Sequence, residues 1–264
     1  FDSIVHSKLI LKLQTFGISG KLLTWLSAFL CNRTQRVVIE NCLSVESKVI
    51  SGVPQGSVLG PILFIMFVNC IDSVCCGSTK FSLFADDLKL YSEIDIINGS
   101  NDLQMSIDKL VTWARDWQLD INIDKCSVLG VHGFIRSAVC KPNYFINGTV
   151  LSRFNSTRDL GVVVDSGLSF KSHINNCFTK ASQRTGVLFH GFLCRDLDFL
   201  RKAFVTYIRP LVEYNCVVWS PTQKTYIDII GKVQRRFTKR VPCLRDQPHI
   251  ERLAVINLPS LELW

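Results

Sequence analysis

No run in this 264-residue sequence is long and apolar enough to cross a membrane. The nearest, Val58–Cys70, holds 13 residues between Gln55 and Asp72, whereas a span needs roughly 20. It reads instead as a buried helix. The opening residues lack the basic segment and small-residue cleavage site of a signal peptide. Low-complexity tracts are missing too, and with 47% hydrophobic against 20% charged residues the composition is that of a globular chain, not a disordered one. Cys75-Cys76 and the pair His173 and Cys177 have no second ligand pair at finger spacing, so no zinc module is expected.

What is present starts with cysteine. The count of 11 is odd, and Cys31, Cys70, Cys126, Cys177, Cys194 and Cys216 are scattered, often within apolar runs. Such a pattern suits reduced core thiols and an intracellular setting. The Asn-X-Ser/Thr sequons at Asn32, Asn98, Asn147 and Asn155 are accordingly expected to be unglycosylated. The first residue is Phe1 instead of Met, as expected of a fragment, a processed product or an incomplete reading frame.

Charge is segregated. Residues 171–252 hold 15 Lys/Arg against 6 Asp/Glu, while the remainder hold 15 against 16, so the net +8 lies in the C-terminal third. Lys232, Arg235, Arg236, Lys239 and Arg240 crowd one stretch. A solvated helix surface would explain a charge run, but segregation of this kind also fits the footprint of a phosphate backbone.

Apolar periodicity predicts helices over Ile4–Phe16, Gly20–Cys31, Val58–Cys70 and Asp102–Trp117, and further long helices over roughly 171–193, 196–209 and 222–240. Strand-like segments fall at Gln35–Glu40 and Ser44–Ile50, separated by Asn41-Cys42, then at Lys80–Ala85, Leu88–Glu93, Asn122–Val131, Tyr144–Val150 and Arg158–Asp165. The expected fold class is α+β: a small antiparallel sheet flanked by helices over residues 1–168, then a basic helical domain over 169–264.

Two motifs carry chemistry. Phe84-Ala85-Asp86-Asp87 lies between two short strands, and adjacent carboxylates at an apolar corner repel each other unless a cation sits between them. An ordinary Asp-rich turn is the alternative. Ser51–Pro61, SGVPQGSVLGP, is a turn punctuated by Gly52, Gly56 and Gly60, where the backbone can approach a flat ligand and Gln55 can offer its amide.

The order SGVPQGSVLGPILF, FADD, WQLDINIDKC and RDLGVVVD resembles the successive motifs of reverse transcriptases of the non-LTR (LINE, jockey-like) type. Phe1-Asp2-Ser3-Ile4-Val5-His6 resembles the end of that family's first palm motif. The stretch Tyr207–Tyr214 with Val218-Trp219-Ser220-Pro221 resembles the segment downstream of the polymerase core.

The resemblance implies a palm over residues 1–168 and a thumb over 169–264. It implies two Mg2+ ions held by Asp86, with Asp87 in a lesser part, and Lys125 as the lysine that neutralises or protonates the leaving pyrophosphate. Phe1 takes the place of the aromatic residue beneath the incoming sugar, although plain core packing is the commoner use of a Phe. Gln55 and Gly56 would contact the nascent base pair and template, Leu160-Gly161 the primer end, and the basic helices the duplex phosphates.

The partners implied are an RNA template, a DNA primer and dNTPs, with nuclear action and an endonuclease domain outside this chain. The family's first palm aspartate falls ahead of Phe1, so the two-metal site is incomplete here and the chain alone is expected to be inactive or nearly so. A non-catalytic nucleic-acid-binding remnant of a mobile element is the second reading. An RNA-templated RNA polymerase ranks third, since Phe1 as a sugar gate would disfavour ribonucleotides.

Overall fold

The computed structural model describes residues 1–93, 99–131 and 142–261, which leaves the Asn98 sequon outside the described residues. Two compact units emerge: residues 1–128 with 142–152, and residues 129–131 with 153–261.

In the first unit, α1 (His6–Thr15) and α2 (Gly20–Leu30) turn Leu9, Leu13, Leu26 and Leu30 inward at helical spacing, while Leu11 between them faces solvent. These leucines meet Leu63, Phe64, Phe67 and Val68 of α3 (Leu59–Val68) in one cluster. The sequence of α3 is apolar all round, yet the helix is buried on one side only: Ile62 and Ile65 are 49% and 59% exposed. A 3-10 turn comes next, at Ile71–Val74.

Between α2 and α3, β1 (Arg33–Gln35) pairs with β4 (Ser47–Val49), and β2 (Val38–Ile39) with β3 (Cys42–Leu43). The two strand-like segments on either side of Asn41-Cys42 thus pair as a hairpin, but its turn is Glu40-Asn41, both at positive φ, and Cys42 belongs to a strand. Asn at such a turn is favoured because its short polar side chain tolerates the left-handed region. Val37, Val38, Ile39, Leu43 and Val45 of this hairpin are all exposed.

The strands β5 (Lys80–Phe84) and β6 (Asp87–Tyr91) form a second hairpin, followed by α4 (Gly99–Trp117). The predicted strand over Asn122–Val131 is mostly not one. Ile123–Lys125 is a 3-10 turn, because the Asn122 side chain accepts a hydrogen bond from the Lys125 N–H and pulls the backbone into a turn. Within that segment the strand is β7 (Ser127–Leu129).

A third hairpin joins β8 (Phe145–Ile146) to β9 (Thr149–Val150) through Asn147-Gly148, the pair best suited to a two-residue turn. Ile107 of α4, Tyr144 and Ile146 form the second, smaller cluster of this unit. A short strand, β10 (Ser152–Phe154), comes next.

The second unit contains one hairpin, β11 (Ser156–Asp159) with β12 (Val162–Asp165), and then helices: α5 (Lys171–Gly191), α6 (Leu197–Ala203), α7 (Arg209–Glu213), α8 (Cys216–Trp219), α9 (Lys224–Lys239) and α10 (His249–Ile256). The helix expected over 196–209 is interrupted by a π-helical turn at Phe204–Ile208. Pro210, just beyond it, supplies no N–H to the preceding turn, and the ladder widens there. The helices at 216–219 and 249–256 are too short for periodicity to reveal.

A single cluster holds this unit together. Ile230, Val233 and Phe237 recur at helical spacing on α9 and meet Ile174, Ala181 and Phe189 of α5. Phe237 is fully buried, its ring 5.3 Å from that of Phe189 and 4.9 Å from that of Phe204.

The α+β class is thus observed, but not a single small sheet: among the described residues every sheet has only two strands.

Candidate active site and nucleic-acid interface

The acidic motif sits at the end of the β5–β6 hairpin. Alternation sorts its side chains into two faces: Phe81, Leu83, Leu88 and Leu90 are half-buried, while Ser82, Phe84, Asp87 and Lys89 are exposed. Leu83 and Leu90 pack on the edges of the two clusters of this unit and so anchor the inner face.

The register pairs Phe84 with Asp87 and leaves Ala85-Asp86 as a two-residue turn. Asp87 is therefore the first residue of a strand, and only Asp86 belongs to the turn proper. Ala85 has φ +52°, a region that costs a non-glycine residue about 1–2 kcal/mol. The turn leaves both Asp86 and Asp87 exposed to solvent. Backbone strain at this spot, on a hairpin otherwise well anchored, is the kind found where geometry serves function.

Gly52 has φ +86° and is pressed so closely on the chain's first residues that a Cβ there would lie 2.8 Å from the Asp2 Cα. Its N–H donates to the Ile4 carbonyl, and its own carbonyl lies 2.8 Å from the His6 Nε2. The Ser51 hydroxyl donates to the Asp2 carbonyl, and the Gln55 Nε2 donates to the Asp2 carboxylate at 2.8 Å. The Phe1 ring stacks on Phe64, with centroids 4.2 Å apart.

Phe1 and Gln55, two of the expected substrate-contacting residues, are thus brought together around Asp2. The sequence motif alone gives Asp2 no role; the signal for one is its place directly after Phe1. Gly56, at φ +77°, has open space where a Cβ would stand. Ser57 then accepts from the Gly60 N–H and starts α3, and a Cβ on Gly60 would lie 2.6 Å from the Pro54 carbonyl oxygen. Lys125, in its 3-10 turn, is exposed.

The Leu160-Gly161 pair lies in the second unit, as the turn of the β11–β12 hairpin, with φ +42° and +89°. Gly suits its position, and Leu does not.

Of the five basic residues crowded here, Lys232, Arg236 and Lys239 on α9 and Arg240 directly after it are exposed at positions i, i+4, i+7 and i+8, which places them on one face. Arg235, at i+3, lies on the edge of that face and is half-buried, donating to the Asp228 carbonyl at 3.0 Å. Arg236 stacks over Phe178 and Arg240 over Phe189, at 4.8 and 4.7 Å from the ring centroids.

Among the described residues no group of three or more His, Cys, Asp or Glu side chains comes together as a metal cage. Asp86 and Asp87 are nevertheless hard oxygen donors of the kind Mg2+ takes. That ion is usually held by one or two carboxylates together with substrate phosphates and water, so the pair fits one edge of such a site.

The reverse transcriptase (RNA-dependent DNA polymerase) family matches residues 1–162. Among curated proteins, the RNA-directed DNA polymerase from the mobile element jockey of Drosophila funebris is 27% identical over 253 residues, covering 91% of this chain and 27% of the relative. Its Drosophila melanogaster counterpart is 26% identical over 253 residues, with the same coverage. The probable RNA-directed DNA polymerase from the Drosophila melanogaster transposon X-element is 25% identical over 251 residues, again 91% of this chain and 27% of the relative. The chain thus spans little more than a quarter of the length of these curated relatives. With the family matched over more than half of its residues, the chain belongs to the reverse transcriptases, as a domain of the non-LTR retrotransposon type.

Proposed function

We propose that this chain is the polymerising domain of a mobile element, adding deoxynucleotides to a DNA primer on an RNA template. The observation that carries the reading is the strained Ala85-Asp86 turn, which presents two carboxylates on a hairpin anchored only by its opposite face.

Asp86, with Asp87 beside it, would hold magnesium, whose charge would stabilise the attacking and departing oxygens of phosphoryl transfer. Phe1, whose ring stacks on Phe64 next to the clasp that Asp2 makes with Ser51 and Gln55, would lie beneath the incoming sugar. Gln55 and Gly56 face the nascent base pair, and Lys125 neutralises the leaving pyrophosphate.

Residues 1–168 form the palm and 169–264 the thumb, with the Leu160-Gly161 turn at the primer end. The α9 stripe tracks duplex phosphates without reading sequence, as a polymerase that copies any template requires.

Primer extension on an RNA template, by a protein containing this domain, tests the proposal. Asp86→Asn is expected to lower the rate roughly a hundredfold or more, the scale of losing one preorganised charge at a transition state, while leaving duplex affinity unchanged. Equal extension by the variant would overturn it. Duplex binding without extension in the unmodified protein would favour a binding remnant.

A further inference from the structure

The segment Tyr207–Tyr214 with Val218–Pro221 takes no part in the proposed reaction. Of its aromatic residues, Tyr214 reaches the β11–β12 hairpin. The Tyr214 hydroxyl donates to the Leu160 carbonyl at 2.9 Å, and the edge of its ring lies where a Cβ on Gly161 would be only 3.0 Å away. Tyr214 thus covers one residue of the turn by contact and holds the other by a hydrogen bond.

Its own backbone is fixed in turn. The Trp219 Nε1 donates to the Tyr214 carbonyl at 2.8 Å, and Trp219 is buried, edge-on to His173 with centroids 5.0 Å apart. His173 Nδ1 accepts from the Val163 N–H, on the strand that leaves the turn. An Nδ1 that accepts is unprotonated, so the ring proton is on Nε2, directed at the Cys177 sulfur 3.4 Å away. Burial, assisted by the charges of Lys180 and Arg158, pushes the His173 pKa down from its ordinary value, in the direction of a ring that accepts at Nδ1. From Leu160 to Cys177 the hairpin is strapped at its tip and at its outgoing strand.

Leu160 is the residue that needs this strap. It holds a left-handed backbone that a branched L-residue resists, and contacts from outside the turn help to hold that shape. Two-residue turns with a well-suited residue, such as Asn147-Gly148, hold by themselves.

We infer that Tyr214 is a positioning residue that locks the Leu160-Gly161 turn so that it meets the primer's 3′ end in one fixed place. This rests on the reverse transcriptase reading of the turn. Tyr214 acts through the turn and touches no reacting atom.

Two measurements on the full chain test it, with unchanged far-ultraviolet circular dichroism confirming the fold of each variant. Amide hydrogen exchange at Gly161 and Val162 is expected to be about tenfold faster in Tyr214→Phe, the scale of one lost neutral hydrogen bond. Binding is then compared for a recessed template–primer duplex and a blunt duplex of equal length. Wild-type protein is expected to prefer the recessed end, and Tyr214→Phe to lose that preference while keeping its affinity for the blunt duplex.

Unchanged exchange would overturn the inference, because the hydrogen bond would then not hold the turn. Faster exchange with the end preference intact would also overturn it, reducing Tyr214 to a structural prop. Failure of wild-type protein to bind either duplex would remove the functional reading itself and this inference with it. That result is distinct from binding in which wild type and Tyr214→Phe behave alike.

Discussion

Two hairpins carry residues of the proposed site, and their tips are built in opposite ways. At Ala85-Asp86 the strain is borne by the hairpin's own strands: among the described residues no hydrogen bond from another element reaches the tip, and both carboxylates stand in solvent. At Leu160-Gly161 the strain is shared with a tyrosine fixed by a buried tryptophan. The difference matches the task proposed for each tip. One that receives ions and phosphates has to stay open, while one that marks a position can be covered and braced.

The surroundings repeat the contrast. The acidic hairpin rests between two modest clusters, whereas the braced one belongs to a unit with one continuous core of which Phe237 is a fully buried member. Phe237→Ala should cost that unit about 3–5 kcal/mol and strip hydrogen-exchange protection from residues 156–165. Residues 80–91, resting on cores of their own, are expected to keep theirs. Equal loss at both hairpins would break the comparison.

A smaller effect sharpens it from the side of charge. Replacing Lys232, Arg236 and Lys239 together with Gln should weaken duplex binding uniformly across sequences. It should also flatten the dependence of log affinity on log salt by about 3, since each phosphate contact contributes roughly 0.9. A variant with an unchanged salt slope would place the nucleic acid elsewhere.

The smallest effect is one of pH. Asp165, at the end of β12, accepts from the N–H groups of Gly167, Ser169 and Phe170 and from the Ser169 hydroxyl. Burial alone would raise its pKa, but these hydrogen bonds prevail and hold the carboxyl below its ordinary value of 3.8. A carboxylate lowered on folding stabilises fully above the ordinary aspartate range, and that contribution is lost as pH falls through the lowered value. Acid titration monitored at the start of α5 should show the loss, and Asp165→Asn should remove this acid-dependent step.

Much of this could be read from the residues, because long amphipathic periods and the Gly and Asp of the motifs have direct physical meaning. The helices at 6–15, 20–30 and 171–191 lie where their apolar spacing put them. The adjacent Asp86 and Asp87 fall at a strand corner as expected. What escaped was set by register and tertiary contact. That Asp87 pairs with Phe84 depends on Ala85 accepting a positive φ, which its own preference opposes. The turn at Ile123–Lys125 depends on one side-chain hydrogen bond. Tyr214 lies 54 residues from Leu160, too far for any local pattern to connect them.

The α9 stripe mixes two kinds of cation. Arg236 and Arg240 are laid over aromatic rings of α5, while Lys232 and Lys239 extend as exposed ammonium groups on flexible stems. A polymerase must hold its product and yet release it by one step after every addition. Guanidinium groups at fixed places give the duplex a rail, and lysines that re-form their contacts within nanoseconds let it slide along that rail without a barrier at each phosphate. On the proposed reading, this surface is built for translocation as much as for grip.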